Sequence, residues 1–207
     1  DDHFDWMHYA EALRLADAVT CPTKEMARRI KLLGRDATVI PDPYEYRQKA
    51  PHCNGVNLLW YGHAVNKHSL ERVLPEIAEY PLRVVSNFGG AIPWSHQTML
   101  KEFAKADIVI IPATDTYKSA NRAIEAIRQG CFVVAEPHPS LEGFPIYIGN
   151  IKKGIEWTRQ NNVNTQLLQA QLFVMENFSP QILQDAWKKT TAQRTTLAAE
   201  PSFGMVG

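Results

Sequence analysis

The chain has 207 residues, with 22 Lys plus Arg against 22 Asp plus Glu, so its formal net charge is zero. Forty-five per cent of its residues are hydrophobic and 21% are charged, a balance that lets a chain of this length bury a core without staples. A neutral chain carries no overall field toward nucleic acid or anionic lipid, no apolar run approaches the roughly 18 residues of a membrane span, and no signal peptide is visible.

From the amino end, Asp2 is a candidate cap for a helix over about 3–15, whose Phe4, Met7, Ala10, Leu13 and Leu15 approximate helical spacing. Because the chain opens with Asp rather than Met inside this pattern, further sequence upstream is expected. Ala18-Val19-Thr20-Cys21 is a short strand candidate. Thr23 can cap a helix to about residue 33, which Gly34 can end, and Ala37-Thr38-Val39-Ile40 reads as another short strand. Pro41-Asp42-Pro43 then stops regular structure, and residues 44–55 are polar and irregular, the expected linker.

A second unit opens at Val56. Strands are expected over Leu58–Tyr61, Leu82–Ser86, Ile108–Ile111 and Phe132–Ala135, and helices over about 69–80, 95–105, 119–129, 151–160, 165–177 and 180–197. Strands that are apolar throughout and alternate with helices predict an α/β fold, a Rossmann-like parallel sheet with helices on both faces. The expected division is residues 1–44 as the end of a first domain and its crossover, 45–178 as the main domain, and 179–207 as a closing helix and tail. Three widely spaced cysteines, Cys21, Cys53 and Cys131, suggest free thiols and a cytoplasmic protein, with a peripheral position at a membrane as the alternative.

In an open parallel sheet, ligands bind beyond the carboxyl ends of the strands. Two such ends are chemically rich. After Ile108–Ile111 and Pro112, the residues Lys118, Ser119, Asn121 and Arg122 crowd a helix start, where unpaired N–H groups and two cations suit a diphosphate. A simple cap would also account for Ser119. Glu125 follows Asn121 by one turn and could accept ribose hydroxyls; it reads equally as a surface acid. After Leu58–Tyr61, Gly62 permits close approach of a ligand, and His63 and Lys67 offer donors, although Lys67 could simply be solvated. The sequence has no P-loop, no Gly-x-Gly-x-x-Gly after a strand, no Gly-x-Ser-x-Gly elbow and no recognisable metal-ligand spacing; His52, Cys53, His63 and His68 match no common site. It also lacks an Asp-x-Asp triplet, so no metal and no other cofactor is expected.

At these residues the sequence resembles the GT-B class of glycosyltransferases, especially the large retaining group that uses nucleotide-sugar donors. The matching stretches are Ala16-Asp17-Ala18-Val19-Thr20-Cys21-Pro22-Thr23 leading to Val39-Ile40-Pro41-Asp42-Pro43; Leu59-Trp60-Tyr61-Gly62-His63 with Lys67; and Ala106-Asp107-Ile108-Val109-Ile110-Ile111-Pro112 through Ser119 to Glu125-Ala126, Gly130 and the strand after it. The resemblance implies the donor-binding, carboxyl-terminal half of such an enzyme, with a remnant of the acceptor-side domain before residue 44. It implies that Glu125 holds the donor ribose, that Ser119 to Asn121 form the turn beside the diphosphate, and that Lys67 contacts phosphate. One departure stands out: where the family often has a second glutamate, eight positions before Glu125, this chain has Tyr117, with Asp115 out of register.

The implied activity is transfer of a sugar from a nucleotide diphosphate to a glycan, lipid or protein acceptor. No catalytic base is identifiable, and the stereochemical outcome is open. A sugar-nucleotide epimerase of the same architecture and a non-catalytic nucleotide-sugar-binding module are the alternatives.

Overall fold

The structure, a computed structural model, describes residues 6–197, and the side chains of residues 9–191. Asp2 and Phe4, the proposed start of the first helix, lie outside them. Helix α1 covers Trp6–Leu15 and α2 covers Lys24–Leu32, where Thr23 accepts from the Met26 N–H as the expected cap. Strands β1 (Thr20–Cys21) and β2 (Thr38–Val39) pair in parallel as a sheet of their own, with Thr20 opposite Thr38. Leu13, Cys21 and Ile30 form a small core around this pair.

The main sheet contains β3 (Leu58–Tyr61), β4 (Leu82–Ser86), β5 (Ile92–Pro93), β6 (Ile108–Ile111), β7 (Phe132–Ala135) and β8 (Tyr147–Ile148) in the order β5-β4-β3-β6-β7-β8. All of its pairings are parallel. Every residue of β3, β6 and β7 is buried, as central parallel strands covered on both faces must be. The helices are α3 (Lys67–Ile77), α4 (His96–Phe103), α5 (Asn121–Arg128), α6 (Ile151–Gln160), α7 (Val163–Phe178) and α8 (Pro180–Leu197). They cover the sheet in packed pairs, α5 with α7 and α3 with α6, and α8 packs along α7. Asp107, just before β6, anchors the entry to β3: its carboxylate accepts from the N–H groups of Asn54 and Asn57 and from the Asn57 amide.

The four long strands lie where the apolar runs put them, but three details differ from expectation. First, α3 begins at Lys67 rather than near residue 69. Second, α5 begins at Asn121, so Ser119 does not cap it; Ala120 precedes the helix, and no side chain caps it. Third, residues 44–55 are irregular yet firmly held. Arg128 donates from Nε and Nη2 to the Tyr46 carbonyl and from Nη1 to Gln48, and its guanidinium stacks 4.0 Å from the Tyr44 ring centre. Gln171 donates to the carbonyls of Lys49 and Ile127. The His52 N–H donates to Gly130, whose φ of +84° turns the chain sharply between α5 and β7. The expected linker is therefore a strap bound to the α5–β7 corner.

Candidate functional site

In the sheet order the chain reverses direction between β3 and β6, the switch point at which strand ends splay and leave a crevice. A cavity of about 320 Å³ opens there. Its walls come from Tyr61, Gly62 and His63 after β3, from Pro112 to Thr114 after β6, from Lys118, Ser119, Asn121 and Arg122 at the start of α5, and from His138 and Ser140 after β7.

The electrostatics of this cavity favour an anion. The Arg122 side chain is partly buried, and its Nη1 is fully enclosed without a hydrogen-bond partner. Burial holds the guanidinium below its ordinary pKa, against the pull of Tyr61 and Glu125. An enclosed, unpaired donor costs about 1–3 kcal/mol, so an arginine in this position is held ready for an acceptor that arrives with a ligand. Gly62 faces it: a Cβ on Gly62 would lie 3.8 Å from Arg122 Nη1 and only 3.1 Å from the Trp60 ring, so a larger residue would crowd both. The uncapped first turn of α5 adds backbone N–H groups to the same wall. Lys118 lines it too, its ammonium held by the Asn66 side chain and, at 3.3 Å, by Asp115.

The loop that presents these groups is fixed at two points. Glu136, just beyond β7, accepts from the Ala113 N–H at 2.7 Å and pairs with Arg72, and the Arg72 bonds hold its carboxyl below the usual range. The His138 ring lies with Nε2 2.9 Å from the Asp115 carbonyl. The His63 ring accepts from the Val65 N–H at 3.4 Å through Nδ1, while its Nε2 lies 3.0 Å from the Asn87 amide nitrogen.

Six of the eight residues expected at the site, Gly62, His63, Lys118, Ser119, Asn121 and Arg122, line this cavity. Two do not. Lys67 pairs with Glu71 at 2.8 Å and lies 5.4 Å from the Phe88 ring centre, because a helix starting at residue 67 puts Glu71 one turn along on the same face. Glu125 lines a neighbouring cavity of about 160 Å³ with Asp42, Glu45, Tyr46 and Arg128, and Asn121 belongs to both cavities. Glu125 is not a surface acid: Tyr61 donates its hydroxyl to Oε2 at 2.9 Å, and burial raises the carboxyl pKa. Asn121 donates to Asp42 at 2.9 Å.

A third cavity, about 190 Å³, is lined by Thr23, Lys24, Glu25 and Asp42 on one side and by Ser119, Asn121, Ser140 and Glu142 on the other. Tyr117, the departure from the resembled pattern, touches this lining. Its carbonyl accepts from Thr23 Oγ1 at 3.0 Å, and Arg29 lies 4.6 Å from its ring centre. Asp115 is exposed and turned toward Lys118. Among the described residues no group of three or more His, Cys, Asp or Glu side chains could hold a metal ion. All three cysteines are free and buried, and burial pushes the Cys53 thiol up to about 12. Several contributors escaped the sequence reading: Tyr61, Asn66, His138 and Ser140. His138 and Ser140 follow the carboxyl end of β7 and could have been flagged on that ground; Asn66 lies in the stretch 62–67 after β3 that reads as chemically rich, but the sequence reading assigns it no role there.

Solved structures share this fold. HepE from Anabaena in complex with UDP-glucose superposes with a TM-score of 0.72 at 13% identity over 93% of this chain and 69% of its own. The same protein with UDP and glucose gives 0.70 at 12%, over 91% and 66%. TarM of S. aureus in complex with Fondaparinux, alpha-GlcNAc-glycerol and UDP gives 0.64 at 14%, over 92% of this chain and 48% of TarM. No protein-family model and no curated protein matches the sequence. Likenesses at this identity speak to architecture, and the architecture is the GT-B fold, in the half that carries the six-stranded sheet. The chain spans about two thirds of HepE and about half of TarM.

Proposed function

We propose that this chain is the donor-binding part of a glycosyltransferase that moves a sugar from a nucleoside diphosphate to a glycan, lipid or protein acceptor. The observation that carries the reading is the enclosed Arg122 guanidinium with an unpaired Nη1, set at the switch point of a parallel sheet beside an uncapped helix start. The fold likeness to proteins solved with UDP and UDP-glucose supports it.

In this reading the bond from the anomeric carbon to the diphosphate oxygen breaks, an acceptor hydroxyl oxygen bonds to that carbon and gives up its proton to the departing diphosphate or to water, and the diphosphate leaves with added negative charge. Arg122, Lys118 and the first N–H groups of α5 stabilise that charge, and the cavity positions the donor. Gly62 lets the diphosphate approach β3, while Ser119, Asn121 and His63 provide polar contacts. Glu125 would meet the ribose from its own cavity, next to Asn121. The reading calls for no bound divalent metal or other cofactor and for no nucleic-acid partner. The buried free thiols fit a cytoplasmic protein, in solution or peripheral at a membrane.

The test is calorimetric titration of the chain with uridine and guanosine diphosphates, with and without a chelator, followed by a transfer assay with the corresponding nucleotide sugars. Binding that survives chelation, with sugar transfer to an added acceptor, is the expected result. Binding without transfer returns the binding-module alternative, interconversion of the sugar without an acceptor returns the epimerase, and no binding of any nucleoside diphosphate refutes the proposal.

A further inference from the structure

Helix α7 is apolar on two faces and uses one of them. Val163, Leu167, Ala170 and Val174 are buried, where α7 packs on α5 and β7. On the other face Leu168, Leu172 and Met175 are 50%, 53% and 43% exposed. With Thr165, also exposed, they stand at intervals of three, four and three residues, the spacing of a seam that a second helix fills. The buried face already holds α7 to the sheet, so these three large side chains are left in water by a helix that does not need them for its own packing. Helix α8 packs along α7 and leaves the seam open.

From this pattern we infer that the open face of α7 is a self-association surface, on which two copies of this chain pair with their α7 helices antiparallel across a two-fold axis. The charge of the face selects the occupant. Helix α7 contains no Lys or Arg, and its one charge is Glu176, exposed beside the seam. An anionic membrane surface is held by cations, and none is there. A partner recognised through charge would find a single acid to read. A second copy of the same seam fits, because leucine then meets leucine along a helix of matching length. Antiparallel pairing puts Leu168 of one copy over Leu172 of the other and Met175 over Thr165. It also sets the two Glu176 carboxylates about 18 Å apart along the helices, whereas parallel pairing would place these like charges side by side. The strip offered is one helix of 16 residues, about 24 Å long, at the small end of specific interfaces, so the pairing is weak, with a Kd on the order of 10–100 µM.

Sedimentation equilibrium from well below to well above that range tests the inference. The parent should pass from monomer to dimer. Leu172→Lys, which buries a charge in the seam, should weaken dimerisation by about 10-fold or more while its thermal melt at low concentration matches the parent's. Leu32→Lys, at a leucine that is 75% exposed elsewhere, should dimerise as the parent does. Because Cys21, Cys53 and Cys131 are buried, introduced cysteines report the contact directly. A mixture of Leu168→Cys and Leu172→Cys chains should oxidise to a mixed disulfide faster than either variant links to itself. A parent that stays monomeric throughout, a Leu172→Lys variant that dimerises like the parent, or a Leu32→Lys variant that loses the dimer equally overturns the inference. So does a monomeric parent that floats with phosphatidylcholine vesicles while Leu172→Lys does not, since that assigns the face to lipid. Faster self-linking of Leu172→Cys alone overturns the antiparallel arrangement.

Discussion

Tyr61 donates one hydroxyl to two acceptors, the Arg122 carbonyl at 2.8 Å and Glu125 Oε2 at 2.9 Å, so the end of β3 is tied to the helix that forms the opposite wall of the site. Burial raises the Glu125 pKa, the Tyr61 bond opposes this, and nearby Glu45 adds to the rise. A carboxyl whose folded pKa exceeds its unfolded value of about 4.3 favours folding while protonated, and that contribution is lost as pH rises through the folded value. Glu125→Gln keeps an acceptor for Tyr61 and removes the charge. It should be at least as stable as the parent at pH 7, with the stability difference widening as pH climbs from about 4. Uridine diphosphate binding should weaken by about 1–3 kcal/mol if Glu125 takes a ribose hydroxyl. Thermal melts across pH, paired with calorimetry, check both; a variant less stable at pH 7 than at pH 4, relative to the parent, contradicts the linkage.

Arg122→Met separates binding from folding. The guanidinium has an enclosed nitrogen without a partner, so replacing it with an apolar side chain of similar length should leave stability unchanged or higher. Affinity for uridine diphosphate and for pyrophosphate should fall together, by about 1.5–3 kcal/mol, the scale of a hydrogen bond to a charged group. Urea unfolding and titration of the same preparation measure the two effects. A large loss of stability with affinity intact would assign Arg122 to the core instead.

What could be read from residues alone follows from how the signal is stored. Leu58–Tyr61, Ile108–Ile111 and Phe132–Ala135 are legible because strands buried on both faces must be apolar at every position. Ile92–Pro93 and Tyr147–Ile148 are not, since two residues carry no period and their pairing to the β4 and β7 edges defines them. The cationic start of α5 was legible as a cluster of residue types. That Arg122 is enclosed while Lys67 pairs away from the cavity depends on where each helix begins, to the residue. Glu125 shares the Asn121 face as the spacing implied, but it is enclosed beside Tyr61 of β3 and in one cavity with the strap, neighbours remote in sequence that no local pattern records.

Gly130 and Gly34 form a matched pair for testing how tightly the strap is held. Both have positive φ, +84° and +82°, where an L side chain is strained by about 1–2 kcal/mol. A Cβ on Gly34 would meet nothing within 4 Å, so Gly34→Ala should cost no more than that strain. A Cβ on Gly130 would lie 2.2 Å from the Ala50 carbonyl oxygen, so Gly130→Ala must also push the strap off the α5–β7 corner. Its cost should exceed the Gly34→Ala cost by at least about 1–2 kcal/mol in urea unfolding, in the range reserved for steric conflict in a packed site. Equal costs would mean that the strap gives way freely.

Arg128 holds the other end of that strap, and the prediction there concerns local opening. Its guanidinium donates to the Tyr46 carbonyl from two nitrogens and to Gln48 from the third, and it stacks over Tyr44. Arg128→Leu leaves the Tyr46 carbonyl without those donors and removes the stacked cation, a loss of about 2–3 kcal/mol. Arg128→Lys should not restore it, because a single ammonium cannot reproduce three directed bonds and a flat stacking face. The strap carries its own reporters, since Arg47 and Lys49 are exposed and each is a trypsin site. Cleavage after a residue requires the backbone around it to leave its docked path, so its rate measures the opening of the strap when opening is fast relative to cutting. Both variants should be cut faster than the parent at these two bonds, and uridine diphosphate should slow the cutting in the parent, because Tyr46 and Glu125 line one cavity and ordering that cavity closes the strap. Equal cleavage in Arg128→Leu and the parent would show that Gly130 and Gln171 hold the strap without the arginine.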